Sequence, residues 1–290
     1  MKQSKIIICI LFAVMVLISA LPVWAQTDGA FKFVVIGDNR PAHARLHQPE
    51  VFIKMVKEID KINPAFAVNL GDMIYGSKNL QVMTNQYDEY KGILKSNLRT
   101  KMYSVIGNHD ASGSKDNQDF LEKEYGKLYY SFDHGDSHFI VLNSEIVGQE
   151  SRIIDAQLEW LRDDLHNTKA TNKFVFIHEP LYPVGGHIGS SLDRYTKERD
   201  VLHNLFVRNK VAVVFEGHEH LFYEQVKSGV RYIISGGGGA PTYPSIYGGG
   251  DFYHYITVAV DGNSIEMTLI KPAQDDRKAE SIKIGIKTEK

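Results

Sequence analysis

Five short apolar stretches end in the same kind of residue, and this pattern limits the fold more than any other feature of the chain. "FKFVVI" runs into Gly37-Asp38, "AFAVNL" into Gly71-Asp72, and "KMYSVI" into Gly107-Asn108-His109-Asp110. "KFVFI" runs into His178-Glu179, and "VAVVFE" into Gly217-His218-Glu219-His220. Short runs rich in β-branched and aromatic residues read as strands buried on both faces. In open α/β sheets, ligands bind outside the carboxyl ends of the strands. A chain that loads acids, imidazoles and an amide at those ends points to a site built there.

The segments between the strands carry helical periodicity. Phe52, Met55, Val56 and Ile59 fall on one helix face. "NQYDEYKGILKSNL" reads as a second helix, Ile154, Leu158, Leu161 and Leu165 mark a third, and the residues around Thr196 to Val207 a fourth. "YYSFDHGDSHFIVLNSE" predicts a hairpin turning at His134-Gly135-Asp136. The C-terminal part reads as strand, "YEQVKSGVRYIIS" and then "YHYITVAVDGNSIEMTLIKP" with a turn at Asp261-Gly262-Asn263. Strands alternating with helices, with antiparallel pieces late in the chain, place it in the α/β class. No repeat or low-complexity linker interrupts it, so residues 26–290 are expected to form a single domain.

The N-terminus reads differently. Lys2 and Lys5 precede an apolar run from Ile6 to Leu21 and then "VWAQ". This is the pattern of an export signal over residues 1–25, cut after Ala25. The run is about 15 residues, short of the ~20 a spanning helix needs, so no stable membrane anchor is expected after cleavage. The expected location is periplasmic or secreted. The only cysteine, Cys9, sits inside that segment. The remainder then has neither disulfide nor thiolate, and any metal must be held by nitrogen and oxygen. A formal net charge of -2 and the lack of a polybasic face argue against a nucleic-acid partner.

His218 and His220 are two residues apart, which in extended chain puts both imidazoles on one side. With Asp38, Asp72, Asn108 and His178 they make the oxygen and nitrogen set suited to two divalent cations sharing a carboxylate.

In this order and spacing the motifs resemble those of the calcineurin-like metallophosphoesterase superfamily, on its purple acid phosphatase and cyclic nucleotide phosphodiesterase side. The resemblance implies a four-layer αββα sandwich, two mixed β-sheets flanked by helices, with the metal site at the carboxyl ends of the strands. It implies two divalent ions such as manganese, iron or zinc. Asp72 would bridge them, Asp38 and His220 would lie on the first, and Asn108, His178 and His218 on the second. His109 would be the catalytic acid and Asp110 its orienting partner. The implied activity is hydrolysis of small phosphorylated substrates, monoesters or diesters, by a hydroxide activated between the two metals. The alternative is a non-catalytic protein on the same fold that binds a metal or a phosphorylated ligand. One departure stands out: the superfamily expects a histidine two residues after Asp38, and this chain has Arg40. Arginine does not ligate cations, so the first metal is expected to bind more weakly and Arg40 to contact substrate. Asn39, His43 and His47 are the nearby candidates to fill in, none at the expected spacing.

"SGGGGAP" over Ser235–Pro241 and the glycines Gly248 to Gly250 could cradle phosphate, but with no Gly-Lys-Ser/Thr beside them they are expected to form mobile loops walling the cleft. His187 either reaches substrate or is a solvated loop histidine. Tyr75 and Tyr182 either line the pocket or pack. His134, His138, His166, His203 and His254 carry no site context.

Overall fold

The computed structural model describes residues 29–244, 248, 250–273 and 279–285, so the expected export signal and Cys9 lie outside the described residues. In chain order the elements are β1 (Phe31–Ile36), α1 (Glu50–Ile62), β2 (Phe66–Asn69), α2 (Leu80–Asn97), β3 (Met102–Ser104), α3 (Asn108–Ala111) and α4 (Lys115–Tyr125). Then follow β4 (Tyr130–His134), β5 (Ser137–Val141), α5 (Asp155–Asn167), β6 (Asn172–Ile177), α6 (Thr196–Arg208) and β7 (Val213–Glu216). The chain continues through β8 (Phe222–Lys227), β9 (Val230–Ser235), β10 (Tyr255–Asp261), β11 (Ser264–Lys271) and β12 (Glu280–Gly285).

The strands form two six-stranded mixed sheets, ordered β12-β11-β10-β1-β2-β3 and β4-β5-β6-β7-β9-β8. β1, β2 and β3 run parallel in the first. β5, β6, β7 and β9 run parallel in the second. All five motif-bearing strands therefore lie in parallel blocks, and their carboxyl ends open on a common edge. The two expected hairpins are present, with Asp133 opposite His138 and Asp261 opposite Ser264.

Side-chain alternation explains the layering. Phe33, Val35, Phe66 and Val68 face the second sheet and meet Phe139, Phe174, Phe176 and Phe215. Phe33 stacks on Phe66 at 5.3 Å, and Phe176 on Phe215 at 5.4 Å. Burying each such ring contributes about 1.5–3 kcal/mol. The intervening residues, Val34, Ile36 and Ala67, face the other way onto Phe52, Met55, Val56 and Ile59 of α1 and Tyr87 and Tyr90 of α2. On the second sheet, Ile140, Val175 and Val214 face Leu161 and Leu165 of α5 and Leu202 and Phe206 of α6. The result is the four-layer αββα sandwich. Helix α4 was not legible in the sequence because its fully buried positions are only Asn117 and Leu121, with Phe120 and Tyr125 half-buried beside them. Among the described residues no helix is long and apolar enough to cross a membrane.

One histidine without a site role ties the layers together. His138 Nδ1 lies 2.6 Å from Asp133 Oδ1 and Nε2 lies 2.8 Å from Asp164 Oδ2, joining the β4–β5 hairpin to α5. Burial opposes its charged form, but the hydrogen bonds to Asp164 and Asp133 raise its pKa above the usual value. A raised folded-state pKa gives stability that is fully present below the unfolded pKa, about 6.5, and is lost as pH rises through the folded one. Thermal melts from pH 6 to 9 are therefore expected to fall, with a shallower fall in His138→Gln. Parallel curves for the two proteins would show that this clamp contributes nothing.

Candidate metal centre

Site residues occupy the turns that leave the strands. Asp38, Asp72 and His218 have φ of 58°, 52° and 69°, a left-handed region costly for residues other than glycine. Strain of this kind persists where surrounding contacts hold it and clusters at functional sites. Here it turns each side chain back over the strand ends. Gly107 allows a close approach: a Cβ there would lie 2.4 Å from both the backbone nitrogen and Oδ1 of Asp72.

Four ligand atoms converge. His178 Nε2 and His218 Nδ1 each lie 3.0 Å from Asn108 Oδ1 and 3.2 Å from one another. His178 Nε2 is also 3.4 Å from Asp72 Oδ1. His178 Nδ1 sits 2.9 Å from the Leu70 carbonyl and donates to it, which leaves the Nε2 lone pair facing the cluster. Burial pushes the His178 pKa down and the His218 pKa well down, which disfavours the charged imidazoles and leaves lone pairs free for a cation. Asp38, Asp72 and His178 offer ligand atoms within 4.8 Å of one another, all buried.

The second half of the centre is built differently. His220 Nδ1 is 2.9 Å from the Pro241 carbonyl and directs Nε2 to within 3.7 Å of Asp38 Oδ1. Burial and then Arg40 push its pKa down to about 4. Asp38 Oδ1 accepts the His218 backbone N–H at 2.9 Å, whereas Oδ2 is buried with no hydrogen-bond partner. Burial and the Asp72 charge hold Asp38 well above the usual carboxylate range. Burial opposes ionisation of Asp72 too, but His178, His109 and Arg40 outweigh it and hold its pKa low. Two buried acids that resist joint ionisation, an orphaned carboxylate oxygen and neutral imidazoles fit a divalent cation.

His109 sits over Asp72. Its backbone N–H donates to Asp72 Oδ1 at 3.1 Å and its Nε2 lies 3.9 Å from Oδ2. The expected partnership with Asp110 is corrected here. The Tyr75 carbonyl, not Asp110, accepts from His109 Nδ1. The Asp110 carboxyl turns away and accepts from the backbone N–H groups of Met73 at 3.0 Å and Gly107 at 2.9 Å. It ties the Asp72 and Asn108 loops together, and burial with the nearby Asp72 charge pushes its pKa up to about 8.

Asn39, His43 and His47, the residues expected to fill in near Arg40, do not reach the centre. Asn39 is buried in a separate network, donating to Gln48 Oε1 and Met73 O and accepting from Asn69. His43 is exposed, and so is His47, paired with Glu89. Arg40 does lie at the centre, its Nε 3.4 Å from Asp72 Oδ2.

Two contributors were missed. Glu219 is buried and accepts the backbone N–H groups of Val184 and Gly185 at 2.7 Å and of His187 at 3.2 Å. This holds the loop after His178 so that the His187 ring rests 3.9 Å from that of His218. Tyr243 donates to the His218 carbonyl at 3.2 Å, and its ring lies 5.3 Å from His220. The only local signal for Glu219 was its place between the two ligand histidines. The glycine run also departs from expectation: Ser235–Ala240 is buried, not a mobile wall. Gly238 and Ala240 donate to the carbonyls of Gly37 and Asp38 at 2.8 Å. A Cβ at Gly238 would lie 2.2 Å from the Gly37 oxygen, so the run braces the Asp38 turn. Tyr75 flanks His109 at 5.5 Å, whereas Tyr182 packs on Tyr232 away from the centre.

The chain is similar to several known proteins. Over 180 residues, 57% of each chain, the protein is 31% identical to human serine/threonine-protein phosphatase CPPED1, so the match spans little more than half that relative's length. A purple acid phosphatase, PPD1, from yellow lupin seeds superposes with a TM-score of 0.68 at 16% identity, covering 88% of this chain and 54% of that one. GAP50, the anchor in the inner membrane complex of Plasmodium, superposes with a TM-score of 0.61 at 14% identity, covering 89% and 90%. At these identities the superpositions speak for the fold alone. The sequence model of the calcineurin-like phosphoesterases matches residues 31–222, from β1 to just beyond the last ligand pair, and the chain belongs to that family.

Proposed function

We propose that the protein hydrolyses phosphate esters, monoesters or diesters of small molecules, at a centre for divalent cations whose two positions share Asp72. The observation that carries this reading is the convergence of Asp72, Asn108, His178 and His218 beneath a partly exposed histidine. Cations held there supply an acidified water for attack and neutralise the phosphoryl oxygens.

The chain's own residues do the rest. Asp72 and Asp38 carry the negative charge that retains the cations. Asn108 would hold a cation without adding charge, which would leave the loaded centre net positive toward a phosphate dianion. His109, with Nδ1 on the Tyr75 carbonyl, directs Nε2 toward the open side and protonates the leaving oxygen. His187, held by Glu219, closes the opposite side over His218.

A fold that also serves an anchor protein keeps a non-catalytic alternative alive. The position of His109 favours the enzyme, because a binder has no use for a proton donor beside the shared carboxylate. The test is turnover of an aryl phosphate and a bis-aryl phosphate by the manganese-loaded protein. The expected result is hydrolysis of at least one, abolished by chelator and restored by metal. Firm metal binding with no turnover of either ester would make the protein a binder.

A further inference from the structure

We propose that Arg40 stands in for a protein ligand at the first cation position. The centre then keeps one cation firmly, with the Arg40 guanidinium beside it as the second fixed positive charge on a bound phosphoryl group. This rests on the reading of the substrate as a phosphate ester.

The two positions are unequal. Around the second, neighbouring ligand atoms lie 3.0 to 3.4 Å apart. Ligands about 2.1 Å from one tetrahedral ion lie about 3.4 Å apart, so little movement is needed to enclose a cation there. At the first position the described residues offer Asp38, the shared Asp72 and His220. The closest approach between Asp38 and His220 is 3.7 Å, and Asp38 Oδ1 is already engaged by the His218 N–H. A cation placed there would face the guanidinium that already neutralises Asp72 Oδ2 from 3.4 Å. Like charges at such range in a buried setting repel strongly.

Arg40 is also built in. Its backbone N–H donates to the Asp72 carbonyl at 2.9 Å, which fixes its Cα beside the centre. Its side chain is only 16% exposed, and its guanidinium lies 5.8 Å from the Tyr75 ring centre. Nη1 reaches the Pro41 carbonyl at 3.3 Å, but buried Nε, though ion-paired with Asp72 Oδ2 at 3.4 Å, makes no hydrogen bond. An unspent donor in such a place costs free energy unless something accepts from it. The guanidinium fork suits two phosphate oxygens at once, which a ligating imidazole could not replace. Arg40 and His109 approach the same oxygen, Asp72 Oδ2, at 3.4 and 3.9 Å, so both can serve one phosphoryl group above it.

The test uses the purified protein loaded with manganese, dialysed and assayed for metal per chain. Binding of inorganic phosphate is measured by calorimetry. Wild type should retain about one cation, and Arg40→His more, because it adds a ligand and removes the charge. Arg40→Gln, which also removes the charge, should retain at least as much metal as wild type but bind phosphate about tenfold to a hundredfold more weakly, the range expected for losing a charge-assisted pair. Arg40→Lys, which keeps the charge without the fork, should fall between, and it serves as the guard should the glutamine variant fold poorly. Two firmly held cations in wild type, or unchanged phosphate affinity in both Arg40→Gln and Arg40→Lys, would overturn the proposal. One retained cation and Arg40-dependent phosphate binding without ester turnover would instead overturn the hydrolase reading and leave this one standing.

Discussion

His109→Ala should slow hydrolysis of an alkyl phosphate by about 10²- to 10⁴-fold, the loss expected when a general acid is removed, with the metal content unchanged. The imidazole touches the centre only through its backbone N–H on Asp72 and a 3.9 Å approach of Nε2 to the same carboxylate. Removing the ring therefore leaves Asp72, Asn108, His178 and His218 in place. The deficit should shrink for a nitrophenyl ester, whose leaving group departs without a proton. His109→Asn gives a second reading, since it is shorter than histidine and brings no acid of suitable pKa. An alanine variant as fast as wild type on the alkyl ester would remove His109 from the chemistry. A variant that lost metal as well would make it a structural element of the centre.

Asp72→Ala should be more damaging and of a different kind. Asp72 faces His178 at 3.4 Å and Arg40 at 3.4 Å, accepts the His109 N–H, and is held ionised by the imidazoles and the guanidinium despite burial. On the proposed reading its removal deletes the carboxylate that both cation positions share. It also leaves the Arg40 side chain without its counter-ion. The expected result is loss of the retained cation after dialysis and a rate lower by on the order of 10³-fold or more, because a catalytic metal is worth several kcal/mol and each 1.4 kcal/mol is a decade. Asp72→Asn keeps the shape and removes the charge, so it should retain partial metal only at high concentration. Elemental analysis beside the rate assay separates the two effects. Wild-type metal retention in both variants would mean that the cations rest on Asn108 and the histidines alone.

Much of the architecture was legible because its signals are local. Runs such as Phe31–Ile36 and Lys173–Ile177 are too short and too apolar to be anything but buried strands. A glycine directly after four of the five runs, Gly37, Gly71, Gly107 and Gly217, marks an abrupt turn. The placement of Asp38, Asp72, Asn108, His178, His218 and His220 followed from the rule that such turns gather at one edge of a parallel sheet. The sequence alone also made Arg40 conspicuous, since a residue that never gives up its proton cannot ligate.

What only the tertiary structure decided concerns partners far apart in the chain. Asp110 sits next to His109, yet its carboxyl serves the amides of Met73 and Gly107, because the short α3 turns it inward between two loops. Glu219 holds residues 34 and 35 positions earlier, Gly185 and Val184, through a contact set by how β6 and β7 pair. The glycine run is no loose wall, because it must pass behind the Asp38 turn where only glycine fits. That Arg40 points to Asp72 and not to solvent is a tertiary fact: a 2.9 Å backbone bond holds its Cα at the Asp72 loop, and its Nε lies 3.4 Å from Asp72 Oδ2. Periodicity records which face of an element is buried, and that is a property of neighbouring residues. Hydrogen-bond partners across two packed sheets depend on strand order and register, which no short stretch of sequence contains.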